Sequence, residues 1–505
     1  MKSLKVSQIK AGVLLSYIQT FISVIISLVY TPAMLSLLGK SEYGLYNIAS
    51  TLISYVNLLN MGFSSSYVRF YSRDKAGKDE TALARTNGLF CIVFAFIGIL
   101  AFISGFVLIG FTKIIFGTGL TDSEYFKAKI IMTILTVSTA YNLGTSIFSS
   151  FVLAHERFVF HKIVNLIKTV LSPAVTWLLL LNGYKSIGMS VVTAVLTISA
   201  DTFYMVYCFR VLKIKVNIHN PSKNQLKEIT VFSGFIAVTT IVDQINWSID
   251  KIILGRFWGT AYTAVYSVAA TIQNLYTQMS TAVSNVFIPK VNKIVAEDKD
   301  KKGLNSLFLK IGRLQGMILF PILIGFIFFG KSFIKLWTPN GYGQAYYVAL
   351  ILMLSSTVPY IQNIGITVQI AQNKHKFRAY SYLCMAIVNL IISIVLCKSY
   401  GAVGVAIGTA VSLVVCNGII MNIYYHKVIG LDMIEFWKSM IKFIPAVLAT
   451  SVYGALIVSF INIDSFFKLL FFGAIFCLIY FVMLWVTLLT KDEKDSIIKK
   501  LKRGS

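Results

Sequence analysis

The chain has 505 residues, of which 56% are hydrophobic and only 13% are charged, and its mean hydropathy is +0.75. Soluble domains carry about 25% charged residues, so this composition excludes an ordinary soluble protein. The net charge of +26 would suit a nucleic-acid-binding protein, but the positions of the basic residues along the chain indicate a membrane instead.

Long apolar runs fill the chain from Ala11 to about Thr490. A helix that crosses a bilayer needs about 20 apolar residues, and each run approaches or exceeds that length. The runs therefore predict an all-α polytopic membrane protein with about 14 transmembrane helices. The predicted spans are residues 11–37, 43–68, 86–111, 130–153, 163–182, 187–209, 229–255, 261–289, 314–330, 345–372, 379–397, 401–425, 439–461 and 465–489.

Lysine and arginine concentrate on one side of this predicted topology. With the N-terminus in the cytoplasm, 33 of the 46 Lys and Arg fall in cytoplasmic segments and 8 fall in outer segments. This is the positive-inside pattern, and it predicts that both termini are cytoplasmic. The basic tail 491–505 is expected to lie on the membrane surface and not to bind nucleic acid. The apolar run after Lys10 is too long for a cleaved signal peptide, so it is interpreted as the first span.

The sequence repeats itself at an offset of about 220 residues. LLGKSEYGLYNIASTL, which begins at Leu37, resembles FWGTAYTAVYSVAATI, which begins at Phe257. IVNLI occurs at both Ile163 and Ile387, and GMSVVTAV at Gly188 resembles GVAIGTAV at Gly404. Each copy contains six predicted spans, and an even number gives the second copy the same orientation as the first, so the repeats are parallel.

Two parallel six-helix lobes are expected to enclose a central cleft, with two extra C-terminal helices. The predicted domains are an N-lobe at 1–213, a cytoplasmic linker at 214–228, a C-lobe at 229–431, spans 13 and 14 at 432–490, and the tail at 491–505. Repeats of this kind occur in transporters that alternate between inward-open and outward-open states. A duplication without a transport role is the alternative.

Polar side chains stripe several of the spans. Span one contains Gln19, and span two contains Asn57 among other amides and ends at Arg69. Lys168 lies inside span five, Arg157 lies in the turn before it, and Asp201 lies in span six. An arginine can hold phosphate oxygens bidentately, whereas lysine acts as a point charge. Snorkelling and positive-inside anchoring are the alternatives for these cations, and a structural role is the alternative for Asp201.

Spans seven and eight have the clearest stripes. In span seven, polar residues recur at helical spacing on one face, although charges near a bilayer centre cost about 2.5–3.5 kcal/mol each. These stripes predict a hydrated substrate cavity, with Asp243, Asp250 and Asp201 as possible ion-coupling residues; the alternative is interhelical hydrogen bonding. The residues of these two spans assigned to the cavity are Asp243, Asn246, Asp250, Lys251, Gln273, Asn274 and Thr277.

The motif LLGKSEYGLYNIASTL, the turn AHERF at 154–158 that leads into IVNLI, and the six-plus-six repeat resemble a known family. It is the polysaccharide-transporter, or Wzx-like flippase, branch of the multidrug/oligosaccharidyl-lipid/polysaccharide exporter superfamily. The resemblance implies a V-shaped two-lobe fold in the cytoplasmic membrane and transbilayer movement of an undecaprenyl-diphosphate-linked oligosaccharide by alternating access. It further implies membrane lipids as surroundings, proton or sodium as coupling ions, and polysaccharide polymerase or assembly proteins as partners.

Three other functions are weighed against this one. Fourteen spans also fit a lipid II-type flippase. Flippases of that type resemble one another in carrying several arginines deep in the first spans, whereas this chain has no arginine before Arg69. A cation-coupled multidrug antiporter would use the acids of span seven. A membrane enzyme would need acid/base residues in an outer loop, whereas the outer loops are short and the five histidines fall on the predicted cytoplasmic side. The six cysteines form no CxxC motif, so no disulfide framework, metal or cofactor is expected.

Overall fold

The computed structural model describes residues 2–60, 62–77, 79–218, 223–297, 301–374, 376–488 and 494. Within these ranges, only the backbone is described for residues 2–7, 9, 10, 13, 223, 224, 232, 235, 236, 238, 239, 242, 243, 245–247 and 301. The described residues form helices joined by short turns, with no strand among them. The all-α class predicted from the sequence is therefore confirmed for this part of the chain.

The chain divides into two compact units, residues 1–267 and 268–505. The first unit contains nine helices in full and the start of a tenth among the described residues. They are α1 (Lys2–Leu38), α2 (Lys40–Val56), α3 (Phe63–Ala76), α4 (Glu80–Gly110), α5 (Thr112–Phe116), α6 (Asp122–Ala154), α7 (Phe158–Leu181), α8 (Lys185–Arg210), α9 (Lys223–Phe257) and α10 (Gly259–Ala296).

The second unit contains the remainder of α10 and eight further α-helices of the described chain. They are α11 (Lys301–Trp337), α12 (Gln344–Ile361), α13 (Ile364–Ala371), α14 (Lys376–Leu413), α15 (Met421–Tyr424), α16 (Met433–Ile441), α17 (Ile444–Phe460) and α18 (Phe466–Thr487). Two π-helical segments, Val414–Ile420 and Tyr425–Ile429, flank α15.

Ten helical segments of the described chain are long and apolar enough to cross a membrane. Their outward faces carry large apolar side chains, such as Phe21, Val29 and Leu470, each about 70% exposed, as expected for helices in lipid. The chain is thus a multi-pass membrane protein. The count of 14 spans and the two-lobe arrangement stay predictions.

Several predicted spans are interrupted. Span 43–68 is split into α2 and α3 by a 3₁₀ turn at Asn57–Asn60 and by Gly62, which has a φ of 74°. Spans 379–397 and 401–425 follow each other almost directly, because α14 turns at Gly401 with a φ of 56°. Residues other than glycine rarely adopt a positive φ, so each of these glycines marks a position where the regular helix is interrupted. Helix α9 begins at Lys223, inside the predicted linker 214–228.

The predicted repeat has a counterpart in the backbone. Residues with a positive φ recur at offsets between 217 and 224 in the pairs Gly39/Gly259, Gly117/Gly341, Glu156/Asn373, Gly183/Gly401 and Lys213/Gly430. The turn at Glu156 and the turn at Asn373 also share one pattern of backbone hydrogen bonds, in which three successive N–H groups return to the end of the preceding helix. This recurrence supports a duplication of the chain.

Small residues allow the helices of the first unit to approach closely. A Cβ added at Gly98 would lie 2.9 Å from the Ala140 carbonyl oxygen and from the Gly144 Cα, so α4 and α6 touch through their backbones. Close approach through glycine is typical of helices packed inside a membrane. An aromatic cluster that includes Tyr67, Phe90 and Phe94 fills the adjacent core. In the second unit, Phe476 and Phe329 pack edge to face in a separate core.

Candidate functional site

A cavity of about 470 Å³ lies inside the first unit, between α1, α2, α7 and α8. This volume is within the range of small-molecule sites, about 300–1,000 Å³. Eight of its eleven lining residues carry a hydroxyl, amide or ammonium group. The lining residues are Ile26, Tyr30, Tyr46, Asn165, Lys168, Thr169, Ser172, Pro173, Thr176, Met189 and Thr193.

Helix α7 supplies most of the polar wall. Asn165, Lys168, Thr169, Ser172 and Thr176 recur every three or four residues, so they lie on one helical face. Pro173 lies within this face. Because proline has no N–H and its ring crowds the preceding turn, the helix cannot form its regular hydrogen bond to the Thr169 carbonyl. This local disturbance of the helix coincides with the cavity.

Lys168 is the charged group of the cavity. Its Nζ donates a hydrogen bond of 2.9 Å to Thr197 Oγ1 on α8, and Thr197 in turn donates to the Thr193 carbonyl at 2.7 Å. An ammonium group has three donors, so the Thr197 bond orients Lys168 without using all of them. Among the described residues, the Asp201 carboxylate attracts this ammonium electrostatically, without a hydrogen bond between the two groups. The cavity therefore presents an oriented cation.

Asp201 is an acid close to Lys168, and it lies one helical turn after Thr197 on α8. Its side chain is buried, with 8% exposure for the residue, and its Oδ2 accepts a hydrogen bond of 2.8 Å from Asn142 Nδ2 on α6. A buried carboxylate is costly unless it is hydrogen bonded. The amide of Asn142 supplies such a bond.

Two of the predicted residues of span seven contact neighbouring helices within the first unit. Asp250 is 1% exposed, and its Oδ2 accepts a short hydrogen bond from the hydroxyl of Tyr266 on α10. The adjacent Lys251 donates from Nζ to Asn47 Oδ1 on α2 at 3.2 Å. Consecutive helical residues point about 100° apart, which explains why the two charges have different partners.

The predicted residues of span eight lie in the second unit. Gln273 is buried, and its Nε2 donates to Ser356 Oγ at 2.7 Å and to the Tyr360 hydroxyl at 3.1 Å. Thr277 shares a hydrogen bond of 2.5 Å with the same tyrosine. These contacts link α10 to α12 by uncharged polar groups. Asn274, on another face of α10, is exposed.

The other predicted site residues are dispersed or not described. Gln19 is half-buried on α1, Asn57 is exposed in the turn between α2 and α3, and Arg69 is exposed on α3. Arg157 is exposed in the turn before α7. The side chains of Asp243 and Asn246 lie outside the described residues, so their predicted roles stay predictions.

Most residues around the cavity are not among those predicted from the sequence. They are Tyr30, Tyr46, Asn165, Thr193 and Thr197, although the polar face of α7 from 165 to 176 has the same helical spacing as the stripes of spans seven and eight. That spacing could have revealed Asn165 and its neighbours on α7. Tyr30 and Tyr46 belong to other helices, and no local pattern predicts that they face this stripe.

Comparisons with known proteins agree with the expected family. A family profile described as "Polysaccharide biosynthesis protein" matches residues 33–346, which is more than half of the chain. A Shigella flexneri protein named as an O-antigen transporter is 20% identical over 383 residues, covering 75% of this chain and 88% of its own length. A Haloferax volcanii protein named as a low-salt glycan biosynthesis flippase, Agl15, is 20% identical and covers 88% of this chain and 96% of its own.

Solved structures show the same fold at low identity. The lipid II flippase MurJ in an inward closed conformation superimposes with a TM-score of 0.73 at 16% identity, covering 94% of this chain and 98% of its own. An inward-facing multidrug transporter of the MATE family gives a TM-score of 0.59 at 14% identity, covering 81% and 99%. The chain therefore has the fold shared by these transporters and belongs to the polysaccharide biosynthesis protein family, in the Wzx-like branch of the exporter superfamily.

Proposed function

We propose that this protein is a flippase that moves a lipid-linked glycan precursor across the cytoplasmic membrane for the synthesis of a cell-surface polysaccharide. The proposed cargo is an oligosaccharide linked to undecaprenyl diphosphate. The observation that carries this proposal is the cavity of the first unit with its oriented Lys168, in a chain that belongs to a polysaccharide biosynthesis family.

The energetics of the cavity favour a functional role for Lys168. A lysine at the centre of a membrane helix costs about 2.5–3.5 kcal/mol on insertion scales. Residues of this kind are usually found at substrate or ion pathways. Because only one of its three donors is used by Thr197, Lys168 is suited to a ligand that carries negative charge, and phosphate is such a ligand.

The remaining wall of the cavity suits a sugar. Asn165, Thr169, Ser172 and Thr176 can both donate and accept hydrogen bonds through their side chains, as the hydroxyl groups of a glycan require. Tyr30 and Tyr46 add aromatic rings with polar tips. An anionic group at Lys168 and a sugar against the hydroxyl-rich wall together describe the head of a diphosphate-linked glycan, whose prenyl chain would stay in lipid.

Transport by alternating access would move this headgroup without any chemical step. In this scheme Asp243, Asp250 and Asp201 are candidates for binding the proton or sodium ion that drives the cycle. Asp201 and Asp250 are buried, and each accepts a hydrogen bond from a neutral side chain; acids inside membrane spans are usually found on substrate or ion pathways. A polymerase or other assembly protein would receive the exported precursor.

Two related functions remain as alternatives. A lipid II-type flippase would carry a peptidoglycan precursor, and a multidrug antiporter would carry an organic cation. Likeness to MurJ and to MATE structures at 14–16% identity shows the fold alone and does not separate these cargoes. The ammonium of Lys168 at the cavity favours an anionic cargo over a cationic drug, because like charges repel.

Transport in proteoliposomes tests the proposal. The probe is a fluorescent undecaprenyl-diphosphate-linked oligosaccharide, and the measurement is the fraction that reaches the opposite leaflet. Lys168→Gln removes the charge, and hydrogen bonds to charged groups contribute about 1.5–3 kcal/mol, so the rate at low probe concentration should fall about 10- to 150-fold. Lys168→Arg should retain more activity, since it retains the charge.

Lys129→Gln is the matched control, because Lys129 is an exposed lysine of α6 outside the cavity and should transport within twofold of the wild type. Equal rates for Lys168→Gln and the wild type would contradict the role assigned to the cavity. Efflux of a cationic dye without movement of the lipid-linked probe would favour the antiporter instead.

A further inference from the structure

Helix α16 has three different faces, and the first packs against the protein. Phe436 is fully buried, its ring centroid lies 5.0 Å from that of Phe308 on α11, and a Cβ added at Gly312 would overlap its ring. Met433 and Met440 are buried on the same face. Successive residues of a helix point about 100° apart, so the remaining side chains of α16 point away from α11.

The second face is apolar and exposed. Ile434 and Ile441 are each 59% exposed, and Trp437 is 37% exposed. The Trp437 Nε1 donates a hydrogen bond of 2.9 Å to Asn422 Oδ1, which fixes the indole at this surface. Exposed apolar side chains continue along α17 at every fourth residue, at Ile444, Leu448 and Val452. A large apolar surface that is continuous with a membrane helix is a surface for lipid.

The third face is polar. It carries Lys438, Lys442 and Glu435, all exposed. Lys438 follows Ile434 by four residues and precedes Ile441 by three, so it lies along the border of the apolar face. A helix with one apolar face and one lysine-bearing face is typical of the plane where hydrocarbon meets the lipid headgroups.

The length of α17 places α16 at that depth. Helix α17 has 17 residues, which span about 26 Å at 1.5 Å per residue, close to the hydrocarbon thickness of about 30 Å. A turn separates it from α16, in which the Phe443 N–H donates to the Met440 carbonyl at 3.0 Å. Because α17 almost crosses the hydrocarbon by itself, α16 is left at the level of the headgroups.

A second group of lysines lies beside α16. The π-helical segment that follows Asn422, the residue bonded to the indole, exposes Lys427. Lys374 Nζ donates to the Val428 carbonyl of this segment at 2.8 Å, so the turn before α14 is held against it. Among the described residues of these segments and of α16, Glu435 is the one exposed acid. The exposed lysines are Lys374, Lys376, Lys427, Lys438 and Lys442.

From these observations we infer that the α16 surface, which is the exposed apolar face of α16 together with these five lysines, binds an anionic phospholipid. The lysines hold the headgroup phosphate as point charges, and an acyl chain lies along Ile434, Trp437 and Ile441. The excess of lysine selects an anionic lipid over a zwitterionic one. A soluble acidic protein or a nucleic acid would match the charge but would not cover an apolar face that continues into the membrane. Binding of this lipid does not depend on the proposed transport function.

Tryptophan quenching by brominated lipids measures binding at the surface itself. The chain has six tryptophans, and a variant that retains Trp437 alone, with phenylalanine at the other five positions, is reconstituted with phosphatidylglycerol and phosphatidylcholine, one of them brominated. The control retains Trp177 alone, which is 48% exposed on α7 of the first unit. The contribution of one lysine near an anionic surface corresponds to about a fivefold preference. Phosphatidylglycerol should be preferred by about that factor or more at Trp437; equal preferences at the two tryptophans would overturn the inference.

Charge variants identify the lysines that hold the headgroup. Lys438→Gln with Lys442→Gln should lower the preference at Trp437 by about fivefold. Lys75→Gln with Lys227→Gln removes the same charge from exposed positions on α3 and α9 and should leave the preference unchanged. An equal decrease in both double variants would show attraction by the overall charge of the protein and would contradict a site at α16.

Co-purified lipid provides a measurement that needs no tryptophan substitution. The full chain is extracted by detergent from bilayers with equal amounts of the two lipids, and the retained lipids are counted by mass spectrometry. Phosphatidylglycerol should be enriched with the wild type and lost from Lys438→Gln with Lys442→Gln. Ile434→Asn with Ile441→Asn keeps every lysine but removes the surface for the acyl chain, so it should also retain several-fold less phosphatidylglycerol. Full retention by both double variants would contradict the inference.

Soluble anions separate a lipid site from other anion-binding surfaces. Glycerol phosphate offers the headgroup charge without acyl chains, and poly-glutamate resembles an acidic protein. Neither should displace phosphatidylglycerol from Trp437 at equal charge concentration, because neither covers the apolar face. Displacement by glycerol phosphate would identify a free phosphate site, and displacement by poly-glutamate would identify a protein-binding surface; either result would overturn the assignment to a lipid.

Discussion

Gly44→Ala is predicted to destabilise the first unit more than any ordinary glycine-to-alanine change in a membrane helix. The new methyl group would lie 1.8 Å from the Thr260 carbonyl oxygen, 2.6 Å from its carbonyl carbon and 3.0 Å from its Cα. Contacts between heavy atoms are favourable at about 3.5–4.0 Å, so the start of α10 must move away from α2 by about 1.5 Å or more.

The cost follows from what this movement breaks. The single hydroxyl proton of Thr260 is donated to Glu124 at 2.7 Å, and such a hydrogen bond contributes about 1 kcal/mol. Overpacking in a close-packed interior adds about 1–3 kcal/mol. The free energy of unfolding should therefore fall by about 2–4 kcal/mol.

Thermal unfolding of the detergent-solubilised protein, followed by tryptophan fluorescence, measures the effect. The midpoint for Gly44→Ala should fall by several degrees. Gly473→Ala is the control, because a Cβ at that position in α18 would meet nothing within 4 Å, and alanine is the better helix former. If the two variants unfold at the same temperature, the close contact between α2 and α10 does not exist as described.

Three further predictions concern other polar contacts. His155 lies in the turn after α6, with its Nε2 3.1 Å from the Tyr71 hydroxyl, and burial lowers its pKa below the ordinary value of 6.5. The unfolded chain therefore binds the proton more readily than the folded chain, so thermal stability should decrease as the pH falls below about 6.5. The variant His155→Gln should lose this part of the pH dependence. Asn142→Ala leaves the buried Asp201 carboxylate without its amide donor and should cost about 1–3 kcal/mol in denaturant unfolding, with a smaller cost in an Asp201→Ala background; equal costs in both backgrounds would contradict the contact. Tyr360→Phe removes the hydroxyl that bonds Gln273 and Thr277 and should lower stability by about 1–2 kcal/mol, whereas Tyr347→Phe, at an exposed position of the same helix, should have no measurable effect on the unfolding midpoint.

The fold class and the family of this protein can be predicted from local features of the sequence. Hydropathy depends only on which residues follow one another, and lipid requires every backbone group to bond within its own helix, so apolar runs predict an all-α membrane protein directly. The motifs around Leu37 and Ile163 carried the family resemblance in the same way. The positions of the turns at Glu156 and Asn373 could also be expected, because both copies of the repeat place a basic, aromatic turn there.

The pairing of polar side chains depended on the tertiary structure. A stripe shows that residues share a face, but the rotation of a helix and the identity of its neighbour decide what that face contacts. Asp250 and Lys251 are adjacent in the sequence, yet one bonds Tyr266 on α10 and the other bonds Asn47 on α2. The cavity around Lys168 likewise draws its wall from four helices, and contacts between such distant segments leave no periodic signal in any one of them.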